Sequence, residues 1–315
     1  MKISQVVQEY VGLKQAMGSR FHAESVILNA FCRAMEDTAL AEVTAERVMA
    51  YIAGTGCVTR FWHRKHEALR GFYRFAIARG YTRSCPLPEK LPRPSRVFTP
   101  YIYSSDELHR LINATEQCVS SRTKLQAATL RTVLLLLYGA GLRISEALSL
   151  TPHDVDLPNS LLTIRESKFY RTRLVPIGVR LTSTLATYDK ERSQWGVPHG
   201  TVESFFVTRH GKPVIRSLAE RTFCRLRRLA NVHRDDGARY QPRLHDLRHT
   251  FAVHRLVAWY REGADVQRLL PQLSTYLGHV HVSATQRYLT MTPDLLHQAS
   301  VRFEQYARPT EINHD

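Results

Sequence analysis

Cysteine is scarce in this chain: five among 315 residues, at Cys32, Cys57, Cys85, Cys118 and Cys224, with no CxxC pair. An odd, scattered set builds neither a disulfide framework nor a zinc ribbon and points to a reducing compartment. Long apolar runs are also missing. The longest lies within Thr132 to Leu142, well short of the roughly 18 residues that begin to span a bilayer. The opening MKISQVVQEYVGLKQAMGSR has no apolar stretch followed by a small-residue cleavage site, so neither secretion nor a membrane partner is expected. Acidic residues are the third shortage: 28 Asp and Glu stand against 44 Lys and Arg, leaving a formal charge of +16. Such an excess calls for a polyanion, nucleic acid ahead of an anionic membrane surface. Lysine is itself rare, eight of the 44 cations, and the arginine that replaces it carries the planar fork suited to phosphate. With 43% hydrophobic and 23% charged residues, the chain is neither disordered nor collagen-like. Its length predicts about two domains.

Residues 1 to about 85 carry helical periodicity almost throughout. Ile3, Val6, Val7, Tyr10 and Val11 form one apolar stripe; Val26, Ile27, Ala30, Phe31 and Met35 form a second; Val48, Met49 and Ile52 form a third. A longer helix is predicted from about Val58 to Arg79, stopped by Gly80, with Phe61, Leu69, Phe72, Phe75 and Ala76 apolar. The same helix bears Arg60, Arg64, Lys65, Arg70, Arg74 and Arg79. Any one of these has an even chance of being merely solvated, but six together read as a phosphate-facing surface. Pro86, Pro88, Pro92, Pro94 and Pro100 then break the pattern and favour an extended segment. The chain therefore divides into a helical domain over 1–90, a Pro-rich linker over 91–103 and a second domain over 104–315. Residues 1–96 carry +7 and the remainder +9, so both parts suit the same polyanion.

The second part opens with Ser104 and Glu107 at capping-box spacing ahead of Leu108, Leu111 and Ile112. Helices are predicted at Leu130 to Tyr138, Ile144 to Leu150, about Ile215 to Ala230, Leu244 to Trp259, Val266 to Leu277 and Pro293 to Tyr306. Leu161 to Arg165 and Arg173 to Ile177 read as a β-hairpin with a polar loop. The fold class is mainly α with a small antiparallel β-sheet, an α+β arrangement.

Four separated segments hold side chains suited to one phosphate. In Gly139-Ala140-Gly141-Leu142-Arg143, the glycines permit a tight turn between helices, and Glu146 can face Arg143 one turn on. Such a pair, taken alone, is most often a surface ion pair. Lys168 sits in the hairpin loop, where a lysine is ordinarily solvated but can also donate a proton to a leaving oxygen. In Leu244-His245-Asp246-Leu247-Arg248-His249, the i, i+3 spacing puts His245 and Arg248 on one helix face, an imidazole beside a phosphate-binding fork. His249, at i+4 from His245, could join this face but is assigned to packing or capping. In Leu277-Gly278-His279, Gly278 ends a helix and leaves His279 at its C-terminal turn, with Tyr288 nine residues later. One of 14 tyrosines, Tyr288 would by itself be read as a packing ring.

Together, GAGLRISEAL, LHDLRHTFAV and LGHVHVSATQRY closely resemble the signature boxes of the tyrosine recombinases, the phage integrase family. The resemblance spans about Ser104 to Tyr306, and the helical region 1–90 looks like the family's core-binding domain. It implies Arg143 and Arg248 as the arginine pair, Lys168 as the hairpin lysine, His245 and His279 as the histidine positions, Glu146 as support for Arg143 and Tyr288 as nucleophile. The hairpin SKFYRTR departs from the family in lacking the glycine that often follows the lysine. Arg60, Arg64, Lys65, Arg70 and Arg74 would belong to the DNA-binding surface.

The implied activity is cleavage and rejoining of DNA through a 3′-phosphotyrosyl intermediate and a Holliday junction, for integration or transposition of a mobile element. Two guanidinium groups and an imidazole supply fixed donors to a phosphodiester, so no metal, ATP or other cofactor is expected. His245 would take the tyrosyl proton, Lys168 would protonate the leaving 5′ oxygen, and the nearby cations would help Tyr288 ionise. The implied partners are double-stranded DNA at recombination sites and three further protomers of a homo-tetramer, alone or with sibling recombinases. The segment Pro293 to Tyr306, with Leu295, Leu296 and Phe303 apolar, would pass between protomers. The expected location is the bacterial cytoplasm, at the nucleoid. A type IB topoisomerase-like relaxase and a non-catalytic DNA-binding accessory factor are the competing readings.

Overall fold

Four helices account for the apolar stripes of the first part: α1 (Ile3–Ala16), α2 (His22–Ala34), α3 (Ala45–Ala53) and α4 (Arg60–Ala78). The structure is a computed structural model and describes residues 1–55, 58–92, 99–119, 123–165, 172–195, 204–238, 240–290, 295–297 and 300–301. Met1–Phe98 and Thr99–Asp315 are separate compact units, and residues 93–98 of the Pro-rich segment lie outside the described residues. Threonines start two of the helices, since the Thr44 and Thr59 hydroxyls accept from the backbone N–H of Arg47 and Trp62. Val6, Leu28, Phe31, Val48, Ile52, Leu69, Phe72 and Tyr73 meet in one core. Some stripe residues face solvent instead. Val26 and Phe61 are 55% and 53% exposed, because each lies just off the face its helix turns inward, a displacement of one residue being about 100° on a helix.

The second unit begins with α5 (Ser105–Asn113), α6 (Thr115–Cys118), α7 (Ala127–Gly139) and α8 (Ile144–Leu148). At α5 the Ser104 hydroxyl accepts from Glu107 N–H while the Glu107 carboxylate accepts from Ser104 N–H, so the capping box is formed as expected. Strands β1 (Val155–Asp156), β2 (Leu161–Ile164) and β3 (Arg173–Pro176) make an antiparallel sheet in that order. Leu161 pairs with Pro176 and Ile164 with Arg173, which sets the register of the predicted hairpin. Its loop, 166–171, lies outside the described residues.

The chain continues through α9 (Val179–Gln194), α10 (Arg216–Leu229), α11 (Asp246–Arg261), α12 (Val266–Leu277) and α13 (Ser283–Gln286), then a 3₁₀ turn at Arg287–Thr290. The sequence reading omitted α9. That helix fully buries only Leu185 and Tyr188, and its Ser and Thr residues weaken the helical signal. The segment predicted as a helix from Pro293 to Tyr306 falls mostly outside the described residues; within it Leu295 is buried and Leu296 exposed. Among the described residues no helix is long and apolar enough to cross a membrane.

Two apolar clusters fill this unit, and α11 runs from one to the other. Leu244 and Leu247 belong to the first, around α7 and the sheet. Phe251, Val253, Leu256 and Val257 belong to the second, with α12 and Tyr288. The polar residues His245, Asp246, Arg248, His249 and Thr250 therefore stand where the two clusters meet. Tyr103 helps fix that point: its N–H donates to the Thr250 hydroxyl and its own hydroxyl donates to the Arg243 carbonyl.

Candidate active site

The turn after α7 is shaped by Gly141, whose φ is +59°, a conformation that a side chain disfavours. A Cβ there would also run into the Phe251 ring. The close approach brings the Gly141 carbonyl to Arg248, which donates Nη1 to it at 2.7 Å and Nη2 to the Leu277 carbonyl at 2.5 Å. Arg248 is only 2% exposed. Burial first, and the Arg143 charge second, lower its guanidinium to about 10, still charged at neutral pH.

Arg143 begins α8 and folds onto it. Its backbone N–H donates to Glu146 Oε2 at 3.0 Å, Nη1 to Oε1 at 2.6 Å, and Nη2 to the Gly278 carbonyl at 3.0 Å. The predicted Arg143–Glu146 pair is thus formed, but Glu146 does more than support one arginine. Arg173, at the start of β3, donates Nη1 and Nη2 to the same carboxylate at 3.1 and 2.8 Å. Arg248 Nη1 stands 3.9 Å from it. Burial alone would raise the Glu146 carboxyl; hydrogen bonds and charge from Arg173, with those of Arg143, hold it down at about 2. Arg173 also donates Nε to the Tyr276 carbonyl at 3.0 Å, and its guanidinium would meet any Cβ placed at Gly278. The sequence reading missed it. The available signal was period-two alternation, which puts Arg173 on the inward face with buried Val175 while Leu174 points out.

Gly278 ends α12 in the left-handed conformation, φ +66°, as the sequence predicts. His279 follows, its Nδ1 2.7 Å from the hydroxyl of buried Thr285. Its ring stacks on Tyr288 with centroids 6.2 Å apart. Tyr288 is 3% exposed, and its hydroxyl lies 3.1 Å from Nδ1 of His249. His249 thus joins the face of His245 and contacts the phenol, a contact beyond the packing or capping expected of it. His245, at the entry of α11, meets His249 edge-to-face at 4.9 Å. The i, i+4 spacing that puts both imidazoles on one face was visible in the sequence; the direction from which Tyr288 arrives was not.

Burial keeps all three imidazoles neutral. His245, His249 and His279 are each lowered to about 4, by burial first and then by neighbouring positive charge, from His249 at His245 and from Arg248 at the other two. Tyr288 is raised, because burial outweighs the pull of Arg248 and Arg143. The arginines help it ionise, as expected, but they reduce the cost of burial without cancelling it. Lys168 lies outside the described residues. Among the described residues, no group of three His, Cys, Asp or Glu side chains is placed to hold a metal ion.

In the first unit, Arg60, Arg64, Arg70 and Arg74 are exposed along α4. Lys65 is tied inward, its ammonium donating to the Tyr51 carbonyl at 2.6 Å and lying 4.5 Å from the Tyr51 ring centroid.

Residues 102–294 match the sequence model of the phage integrase family. The chain is also 35% identical, over 304 residues, to the Sinorhizobium fredii protein y4rB, named as an integrase/recombinase; the match covers 95% of this chain and 96% of that one. The chain belongs to the phage integrase family. A tyrosine recombinase XerC, from Chlorobaculum tepidum, is 32% identical over 280 residues, covering 84% of this recombinase and 79% of that protein. The fold of the recombinase is also that of an integrase fragment from transposon Tn1549, with a TM-score of 0.69 at 16% identity, covering 95% of this chain and 99% of that one. A lambda integrase dimer bound to a core site gives 0.66 at 16% identity, covering 100% and 81%. This chain is a tyrosine recombinase, an enzyme of site-specific recombination. Arg143, Glu146, Arg173, His245, Arg248, His249, His279 and Tyr288 all fall inside the matched region.

Proposed function

We propose that this recombinase cleaves specific sites in duplex DNA through Tyr288, holds the broken strand as a 3′-phosphotyrosyl ester and rejoins it to a new partner through a Holliday junction. The supporting observation is the convergence of three of the four segments: Tyr288 stands against His249 and His279, beside guanidinium groups anchored by Glu146 and by three backbone carbonyls. Each guanidinium carries five N–H donors in a fixed fork. Single bonds from the terminal nitrogens of Arg143 and Arg248 hold the protein, and Arg248 also reaches the Tyr288 hydroxyl; the N–H groups that remain can donate to a phosphate oxygen. Fixed donors of this kind stabilise charge as it grows on the phosphoryl group.

In the forward step, the Tyr288 oxygen bonds to phosphorus as its proton passes to an imidazole, and the bond from phosphorus to the 5′ oxygen breaks. Lys168 supplies the proton that the 5′ oxygen takes. The ester conserves the energy of the phosphodiester, so resealing by an incoming 5′ hydroxyl requires no ATP. His245 and His279 complete the site, one behind the proton path and one beside the phosphate.

On this reading residues 1–90 are a core-binding domain, 91–103 a linker and 104–315 the catalytic domain. Arg60, Arg64, Arg70 and Arg74 hold DNA phosphates with Lys65 in a lesser role. A lambda integrase tetramer bound to a Holliday junction shares the fold, with a TM-score of 0.64, which supports four copies of this chain as the working assembly, exchanging the segment Pro293 to Tyr306. The biological role we assign is integration or transposition of a mobile element, carried out in the cytoplasm at the nucleoid.

A suicide substrate carrying a candidate element end tests the chemistry. The wild-type protein should form a denaturant-resistant adduct with the DNA, and Tyr288→Phe should form none. An adduct that survives Tyr288→Phe overturns the reading. Relaxation of a plasmid lacking any recombination site, at a rate matching strand exchange, would point instead to a relaxase.

A further inference from the structure

The family resemblance assigns the tyrosyl proton to His245, yet the imidazole against the phenol is His249. Its Nδ1 lies 3.1 Å from the Tyr288 hydroxyl, a hydrogen-bonding distance. His245 instead meets the ring of His249, edge-to-face at 4.9 Å. The three rings stand in the order His245, His249, Tyr288, and His279 covers Tyr288 from another side.

We propose that His249 is a catalytic residue of this recombinase, the general base that takes the proton of Tyr288 during cleavage and the general acid that returns it on resealing. The proposal rests on the phosphotyrosyl reading of Tyr288. In cleavage the Tyr288 O–H bond breaks and the proton moves to His249 Nδ1, while the new bond from oxygen to phosphorus forms. The bond from phosphorus to the 5′ oxygen breaks, and that oxygen takes its proton from Lys168. Resealing reverses each transfer, so charge and protons balance over the cycle.

Three features of the site fit this role. A base must present a bare nitrogen, and an imidazole receiving the phenolic hydrogen on Nδ1 carries its own proton on Nε2. The surroundings keep the free imidazole neutral: burial and the charges of Arg248, Arg243 and Arg287 all disfavour its protonated form. A bound phosphodiester adds negative charge beside those same arginines, which favours an imidazolium only while DNA is present. The base is thereby armed by its substrate and returns the proton as the phosphate departs. His249 also sits one turn after His245 on a helix whose start is fixed by Asp246. The Asp246 carboxylate accepts from Arg243 N–H at 2.9 Å and from Arg243 Nη2 at 3.0 Å. The ring is therefore presented by a rigid element rather than a loop.

The test separates the base from the acid by changing the leaving group. A 5′-bridging phosphorothiolate leaves as a thiolate and needs no proton, so it relieves a missing acid but not a missing base. His249→Asn keeps an amide near the Nδ1 position and removes proton transfer. Its cleavage should fall by about a hundredfold or more on both the ordinary and the sulfur-substituted DNA. Lys168→Ala should fall only on ordinary DNA and recover on the sulfur substrate. Cleavage by His249→Asn within about threefold of wild type, or its rescue by sulfur, would overturn the proposal. In the unaltered protein, ¹⁵N resonances should show Nδ1 of His249 unprotonated and Nε2 protonated at pH 7. A proton fixed on Nδ1 would overturn the proposal without any variant having to fold. Loss of the adduct's dependence on Tyr288 would be a different failure, of the phosphotyrosyl reading itself.

Discussion

The arginines of α4 stand in solvent, whereas Arg248, Arg173 and Arg143 of the second unit are held against backbone carbonyls and the Glu146 carboxylate. An arginine of either group adds the same single charge, and composition cannot tell them apart. Solvent screens the first group, whose ion pair of Arg70 with Glu67 is itself exposed, so each member is worth little alone and acts through number. The second group is desolvated, fixed in direction and mutually repulsive, with one buried carboxylate offsetting three cations. Charge of the first kind attracts a polyanion; charge of the second kind can act on one phosphate.

Arg248 should give the largest effect. Arg248→Lys keeps the charge but cannot satisfy two carbonyls and a phosphate in the geometry of a fork. Adduct formation on the suicide substrate should fall by about 10² to 10³ or more, with DNA affinity nearly retained. Arg248→Ala, which leaves the Gly141 and Leu277 carbonyls unpaired, should also lower stability by about 3 kcal/mol in denaturant unfolding. A loss of affinity equal to the loss of cleavage would erase the distinction between the two kinds of cation.

Glu146→Gln comes next. The carboxyl is held at about 2, against 4.5 for the free group, and at about 1.4 kcal/mol per pH unit this corresponds to about 3 kcal/mol of stability. Because the folded value is the lower one, that stability is complete above pH 4.5 and is lost as pH falls towards 2. Urea unfolding at a series of pH values should show the loss in the wild type and not in Glu146→Gln, which is weakened already at pH 7. Arg173→Ala should reproduce part of the defect, since it removes two of the bonds that Glu146 accepts.

The histidines predict a separate pH effect, in a higher range. His245, His249 and His279 are lowered to about 4 from 6.5, so unfolded chains bind protons that the folded site refuses. Stability should be complete above pH 6.5 and decline as pH falls towards 4, before the Glu146 range is fully entered. His279→Gln should flatten the decline in thermal melts between those values; an unchanged slope would show that the ring is not buried as described.

Much of this was legible beforehand because periodicity and punctuation carry it. The hairpin strands, the span of α12, the capping box of α5 and the glycine after α12 all follow from local chemistry. The pairing of Arg143 with Glu146 was legible for the same reason, since three residues separate them on one helix end. Arg173 and His249 were not, because their partners come from elsewhere in the chain: β3 reaches α8 and the end of α12, and α11 reaches the turn after α13. Helix α9 escaped notice for lack of a broad apolar face. The net shift of Tyr288 was not legible either, since it depends on burial that no spacing reveals.

The smallest effect falls within α4 itself and tests the comparison most closely, because the two cations are adjacent. Arg64 is exposed, while Lys65 has its ammonium on the Tyr51 carbonyl and lies near the Tyr51 and Phe61 rings. If α4 faces DNA as proposed, Arg64→Ala should weaken binding several-fold without regard to sequence and reduce the salt slope by about one. It should leave thermal stability nearly unchanged. Lys65→Ala should do the reverse: the lost hydrogen bond and ring contact should lower stability by about 1 kcal/mol, while the salt slope moves less than for Arg64. Burial has already lowered the affinity of Lys65 for its proton, the mark of an ammonium partly withdrawn from water and so less available to a phosphate. Equal changes in slope for the two variants would place both side chains on the DNA and remove the distinction on this helix.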